Sequence, residues 1–214
     1  MNLASYIDHT FLKPDCTQQD IERACKEAIL HGFAAVCVPP FYVKLAAGLL
    51  EGRKVKVATV IGFPMGYTAT PAKVEEIKKA IDDGADEVDA VVNICAVKSG
   101  NWNFVANDID SMATAAHLKG KAIKIIMEAE LLTETEITQL CQAALESQAD
   151  FVKASTGFNS TEAGVETIRL LKSIVGDKVK IKAGGDIRTK ADAERLIEAG
   201  AQRIGSSVLP AWPL

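Results

Sequence analysis

Short apolar runs rich in valine, isoleucine and alanine alternate along the chain with longer stretches in which apolar residues recur every three or four positions. The short runs predict eight strands, at Ile7 to His9, Ala34 to Val38, Val55 to Val60, Glu87 to Asn93, Ala122 to Glu128, Phe151 to Ala154, Val179 to Ala183 and Arg203 to Ser206. The longer stretches predict amphipathic helices over Gln18 to His31, with Thr17 as N-cap and Gly32 as stop, and over Pro71 to Asp83, with Thr70 as N-cap and Gly84 as stop. Others span about Phe104 to Leu118, Glu134 to Gln148, Ala163 to Val175 and Ala191 to Ala199. Strands apolar on both faces, each followed by a helix, form parallel sheets covered by helices. Eight such units suffice to close a (β/α)8 TIM barrel, an α/β fold. A doubly wound open sheet is the alternative, and the lack of a Gly-x-Gly-x-x-Gly turn after the early strands weakens a dinucleotide-binding version of it.

With 214 residues, 48% of them hydrophobic, and no linker-like segment, residues 1–214 are expected to form a single domain. The net charge is −4 and the 24 basic residues are scattered, so no electrostatic footprint for nucleic acid exists. No apolar run reaches the roughly 18 residues of a membrane span, and Asp8 interrupts the start before a signal-type segment develops, so a cytoplasmic protein without a membrane partner is expected. Cys16, Cys25, Cys37, Cys95 and Cys141 show no paired spacing, and His9, His31 and His117 are far apart, which argues against a disulfide framework and against a metal site.

Two strands carry lysine to their carboxyl ends. Asp150-Phe-Val-Lys-Ala-Ser-Thr-Gly-Phe158 places Lys153 before a hydroxyl-rich turn, and Lys178-Val-Lys-Ile-Lys-Ala-Gly-Gly-Asp186 places Lys182 before two glycines. A lysine of ordinary pKa, about 10.4, is almost wholly protonated at neutral pH and cannot attack a carbonyl. Burial, or a second ammonium a few ångströms away, lowers that pKa. One lysine would then be a Schiff-base nucleophile, and the other would stay charged as electrostatic partner or proton carrier. A lone strand-end lysine, by contrast, is usually solvated or part of a surface ion pair.

In a closed barrel the carboxyl ends of the strands form the reaction face, and polar core residues are expected there and nowhere else. Alternation in Asp86-Glu-Val-Asp-Ala-Val-Val-Asn93 puts Glu87, Asp89, Val91 and Asn93 on one face. A carboxylate at Asp89, amid apolar neighbours, requires partners, and Lys153 and Lys182 would serve; a purely structural ion pair is the other reading. Asp8, ending the first strand, is given an orienting role, and Glu128 is left between site and scaffold. Cys37 could face the same cavity, although buried thiols are usually inert. Turns able to present backbone N–H groups to a phosphate are Thr156 with Gly157, Gly184 with Gly185, and Gly205-Ser206-Ser207.

Together these residues resemble the deoxyribose-phosphate aldolase family. The likeness runs through Tyr6-Ile-Asp-His-Thr10, Leu12-Lys-Pro14, Val36-Cys-Val38, Ala58-Thr-Val-Ile-Gly-Phe-Pro-Met-Gly66 with Thr70 and Lys73, Gly84-Ala-Asp-Glu-Val-Asp89, Asp150 to Gly157, Lys182-Ala-Gly-Gly185 with Arg188-Thr189, and Gly200-Ala201 with Arg203-Ile-Gly-Ser206. The resemblance implies a class I aldolase on a (β/α)8 barrel that reversibly cleaves 2-deoxyribose 5-phosphate to acetaldehyde and glyceraldehyde 3-phosphate, without metal or dissociable cofactor. It makes Lys153 the Schiff-base lysine, and Lys182 with Asp89 the pair that lowers its pKa and relays protons through a bound water. Asp186 departs from the family pattern, standing where the phosphate loop has a second glycine, and a carboxylate there predicts a relaxed preference for phosphorylated substrates. Small aldehydes and phosphosugars are the expected partners, and a homodimer or higher homo-oligomer is compatible with the chain. Competing readings are another Schiff-base barrel aldolase, a phosphosugar isomerase using Lys153 only as an electrostatic contact, and a non-catalytic phosphosugar-binding protein.

Overall fold

The computed structural model describes residues 2–158, 164–184, 187 and 189–207. In chain order it contains β1 (Ile7–Thr10), α1 (Gln18–His31), β2 (Ala35–Val38), α2 (Val43–Leu49), β3 (Lys56–Ile61), α3 (Thr70–Asp82), β4 (Glu87–Val91), α4 (Ile94–Lys98), α5 (Trp102–His117), β5 (Ala122–Ile126), α6 (Glu134–Glu146), β6 (Phe151–Lys153), α7 (Val165–Val175), β7 (Lys180–Ala183), α8 (Lys190–Glu198) and β8 (Arg203–Ser206). The eight strands are parallel and neighbour one another in sequence order, and β8 closes the ring on β1 through Ile7 opposite Ile204 and Asp8 opposite Gly205. The expected (β/α)8 barrel is therefore the architecture found. Among the described residues no helix is long and apolar enough to cross a membrane.

Period-two alternation divides each strand between two environments. Outward residues such as Val36, Val38, Val57, Ile61, Val88, Ile123, Ile125, Val152 and Ile181 join the main apolar core beneath the helices. Inward, a separate small apolar patch of Ala35, Cys37, Ala58 and Val60 occupies the β2–β3 side of the barrel. Much of the rest of the lumen is ionic, beside the inward Val91, Ile126 and Phe151, contrary to the expectation that charge gathers only at the carboxyl ends. Glu87 and Arg203, which open their strands at the amino-terminal end, also pair inside the barrel.

Local chemistry explains where the elements begin and end. Thr17 and Asp20 form a reciprocal capping box at the start of α1, and Gly32, with φ of +69°, ends it in the left-handed conformation. Thr133 and Glu136 form a second capping box on α6. At α3 the assignment shifts by one residue: Ala69 is the N-cap, and the Thr70 hydroxyl donates instead to Asp108 Oδ1 at 2.6 Å. That carboxylate is buried against the fully buried Lys73, whose Nζ lies 2.8 Å from Asp108 Oδ2 and 2.9 Å from the Val91 carbonyl. A buried ammonium needs these partners, so Lys73 ties α3 to α5 and to the end of the strand bearing Asp89. Two strands stop earlier than alternation suggests. Asn93 is not a strand residue but the N-cap of α4, accepting from Ala96 N, and Glu128 has φ of +53°, which no strand accommodates.

Candidate active site

Lys153 and Lys182 are direct register partners on β6 and β7, so their side chains leave the sheet side by side into the barrel. Asp89 faces them from β4. Its Oδ2 accepts from Lys153 Nζ at 3.0 Å and from Lys182 Nζ at 2.8 Å. Its Oδ1 accepts from Lys124 Nζ at 2.8 Å; Lys124 is the residue of β5 directly opposite Asp89. Asp8 completes the upper layer with Oδ2 2.5 Å from Lys182 Nζ. Below it, Lys124 Nζ lies 2.6 Å from Glu87 Oε2, and Arg203 bridges Asp8 Oδ1 at 2.5 Å and Glu87 Oε1 at 3.0 Å. Asp8, Asp89, Lys124 and Lys182 have no solvent exposure, and Lys153 has 3%.

These contacts shift the lysines in opposite directions. Burial would raise the Asp89 pKa, but the ammonium groups of Lys124, Lys182 and Lys153 overcome it and hold the carboxyl well below its usual range. Burial opposes charge on Lys182 too, yet Asp8 and Asp89 more than compensate and keep it an ammonium. Lys124 is likewise raised, because Asp89, with help from Asp8 and Glu87, outweighs its desolvation. Lys153 goes the other way. Burial pushes its pKa down, the neighbouring Lys182 charge adds to that, and Asp89 offsets it only in part. The geometry gives the cause: Lys124 and Lys182 each hold two carboxylates within 3 Å, while Lys153 holds one. Burial also pushes the nearby Cys37 thiol up to about 11, so it stays protonated and inert.

Lys153 forms part of the wall of an open cavity of about 690 Å³ at the carboxyl ends of the strands. Thr156, Gly157, Gly184, Gly205 and Ser207 line the same cavity. Thr156 is fixed by Glu128, which accepts from its backbone N at 3.2 Å and from its hydroxyl at 2.5 Å, and the Thr156 hydroxyl then accepts from Phe158 N at 3.1 Å. Glu128 thus shapes the turn after Lys153, a scaffolding contact for a residue whose role the sequence left open. Gly157, at φ of +82°, continues that turn. Gly184 has no room for a side chain, since a Cβ there would sit 2.6 Å from the Ser155 carbonyl oxygen and 3.5 Å from Lys153 Cε.

The structure therefore brings Lys153, Lys182, Asp89 and Asp8 into one ionic cluster and sets Thr156, Gly157, Gly184, Gly205 and Ser207 around the cavity. It does not turn the Ser206 side chain there. Alternation sends Gly205 inward and Ser206 outward, where its hydroxyl donates to the Ile187 carbonyl at 3.2 Å. Gly185 and Asp186 lie outside the described residues. Sequence reasoning missed Lys124 and Arg203 and assigned no role to Glu87. The signal for Lys124 was present, because Ala122-Ile-Lys-Ile-Ile126 puts one charge on the inward face of an otherwise apolar strand, as at Asp89.

Comparison with known proteins agrees with this geometry. A sequence model of the DeoC/LacD aldolase family matches residues 2–209. The deoxyribose-phosphate aldolase of Thermococcus gammatolerans is 52% identical over 209 residues, covering 97% of this chain and 93% of its own. That of Desulfitobacterium hafniense strain Y51 is 52% identical over 207 residues, covering 97% and 95%. Among solved structures, the tetrameric deoxyribose phosphate aldolase of Aeropyrum pernix superposes with a TM-score of 0.90 at 32% identity, covering 96% of this chain and 86% of that one. The aldolase QR15 gives 0.90 at 40% identity, with 96% and 91% covered.

Proposed function

The chain belongs to the DeoC/LacD family of aldolases, and we infer that Lys153 is the nucleophile with which it reversibly cleaves 2-deoxy-D-ribose 5-phosphate to acetaldehyde and D-glyceraldehyde 3-phosphate. The observation that carries the assignment is the asymmetry of the buried lysines. Of the three around Asp89, Lys153 alone reaches the cavity, and it is the one whose charge is least compensated.

The neutral amine of Lys153 adds to the aldehyde carbon of the open-chain sugar, and loss of water leaves an iminium. The iminium draws electrons from the bond between the second and third carbons, so cleavage leaves an enamine rather than a free carbanion. The hydroxyl on the departing fragment must lose its proton, and the enamine carbon must later gain one. Asp89, held ionised, and Lys182, held charged 2.8 Å away, form the acid–base couple for both transfers. Asp8 orients Lys182 from the opposite side. The phosphate is received where Gly157, Gly184, Gly205 and Ser207 line the cavity, at turns whose backbone N–H groups suit an anion.

The test is intact-mass spectrometry after incubation with acetaldehyde and a borohydride reductant. A single ethyl addition mapping to Lys153, and lost in Lys153→Leu, is expected. No adduct, or adducts scattered over surface lysines, would exclude the Schiff-base reading and leave a phosphosugar isomerase or binding protein.

A further inference from the structure

The ionic contents of the lumen do not balance if every group is charged. Inside the barrel, among the described residues, four bases, Lys124, Lys153, Lys182 and Arg203, meet three carboxylates, Asp8, Glu87 and Asp89, in one connected network, which the half-exposed Lys56 joins from the rim. An unmatched charge sealed in a barrel is expensive, so one base is driven to give up its proton. Arg203 cannot be that base, because a guanidinium stays protonated in proteins. Lys124 and Lys182 each hold two carboxylates. Lys153 is left, and its neutrality becomes a property of the whole network rather than of its own contacts.

We propose that Glu87 and Arg203, at the amino-terminal end of the barrel and away from the cavity, are positioning residues that set the protonation of Lys153 by fixing the charge count through Lys124 and Asp8. The proposal rests on Lys153 being the nucleophile. Neither residue is among those lining the cavity. Around Lys153 the facing groups are Asp89 of β4, Lys182 of β7 and Cys37 of β2. Around Glu87 they are Lys56 of β3, Lys124 of β5 and Arg203 of β8, with Asp8 of β1 joined through Arg203. Lys56, half exposed, reaches Glu87 Oε1 at 2.9 Å and links the network to solvent. The Phe151 ring, 5.7 Å from both Lys124 Nζ and Arg203 Cζ, fills the remaining side.

The two residues act with opposite sign. Glu87→Gln leaves a positive excess, so Lys153 loses its proton at lower pH. Arg203→Gln leaves a negative excess, so Lys153 keeps its proton to higher pH. Two strand positions and one lysine contact put these charges on the order of 10 Å from the Lys153 amine, where a unit charge at an effective dielectric of about 20 moves a pKa by roughly one unit. The rate of Lys153 trapping by acetaldehyde and cyanoborohydride, read by intact mass on its acid limb, should rise about tenfold in Glu87→Gln and fall about tenfold in Arg203→Gln. Arg203→Lys, which keeps the charge, and the Glu87→Gln/Arg203→Gln double variant, which restores the count, should retain the wild-type pH midpoint. Where the single glutamine variants fail to fold, these two decide, and a displaced midpoint in either overturns the proposal. So do single-variant midpoints that stay fixed or move in the same direction while the wild type forms its adduct. A wild type that forms no adduct at Lys153 instead removes the nucleophile assignment itself.

Discussion

Asp89→Asn separates the two tasks that the site combines. The substitution keeps the side-chain shape but removes the charge that three lysines share, at 2.8, 2.8 and 3.0 Å. At such distances and an effective dielectric of about 20, each contact carries about 5.5 kcal/mol of attraction, most of it offset by desolvation. Breaking a buried ionic contact by removing one partner costs about 3–5 kcal/mol net. For a domain of this size that lowers Tm by about 6–20 °C, so the variant should still be folded at 25 °C. Loss of a negative charge makes Lys153 harder to protonate, and trapping of acetaldehyde on Lys153 should survive. Turnover should not, because the acid–base couple with Lys182 is gone; a positioned proton-transfer group contributes about 10²- to 10⁴-fold. Coupled detection of glyceraldehyde 3-phosphate gives the turnover, intact mass gives the adduct, and thermal melting reports the fold. A folded variant that loses adduct and turnover together would refute the division of labour, since Asp89 would then be needed to make the nucleophile. A turnover decrease below about tenfold would remove Asp89 from proton transfer.

Other consequences are open to simpler measurements. Glu87 is pushed up by burial but held at about 2 by Lys124 and Arg203; its folded pKa lies below the unfolded one, so its stabilisation, on the order of 3 kcal/mol, is complete above about pH 4.5 and is lost as pH falls toward about 2. Acid unfolding followed by circular dichroism should lose that stretch of pH dependence in Glu87→Gln. Lys73→Met leaves Asp108 buried without its cation and should cost about 3–5 kcal/mol in urea denaturation, whereas Lys73→Met/Asp108→Leu should recover much of it; equal losses would mean the pair is not what ties α3 to α5. Thr17→Ala removes a cap and should lower stability by about 1 kcal/mol without changing KM. Asp186→Gly should raise the ratio of rates on phosphorylated over unphosphorylated deoxyribose, and a wild type that already discriminates as strongly would dismiss the repulsion expected from that carboxylate.

Element order and the ionic cluster around Asp89 were legible in the sequence because both depend on local pattern. Alternation placed Asp89 inward, and the two lysines at strand ends announced each other through composition alone. Short elements were lost for the same reason: α2 and α4, at seven and five residues, are too short for a helical period to emerge. The direction of the Ser206 side chain was hidden because a glycine–serine turn looks alike whichever way it faces, and only the register with β1 decides it. The deeper omission concerns Arg203. It lies 195 residues from Asp8 and 116 from Glu87 along the chain, and nothing in its own neighbourhood marks it as part of an ionic network. Closure of β8 on β1 brings these charges together, so the charge imbalance around Lys153 exists only once the barrel is shut. Lys153 in an open or partly formed sheet would meet water and one carboxylate, and would hold its proton as an ordinary lysine does. The nucleophilicity proposed for Lys153 thus depends on the pairing of β8 with β1, and trapping of acetaldehyde during refolding should appear together with the closed barrel and not before it.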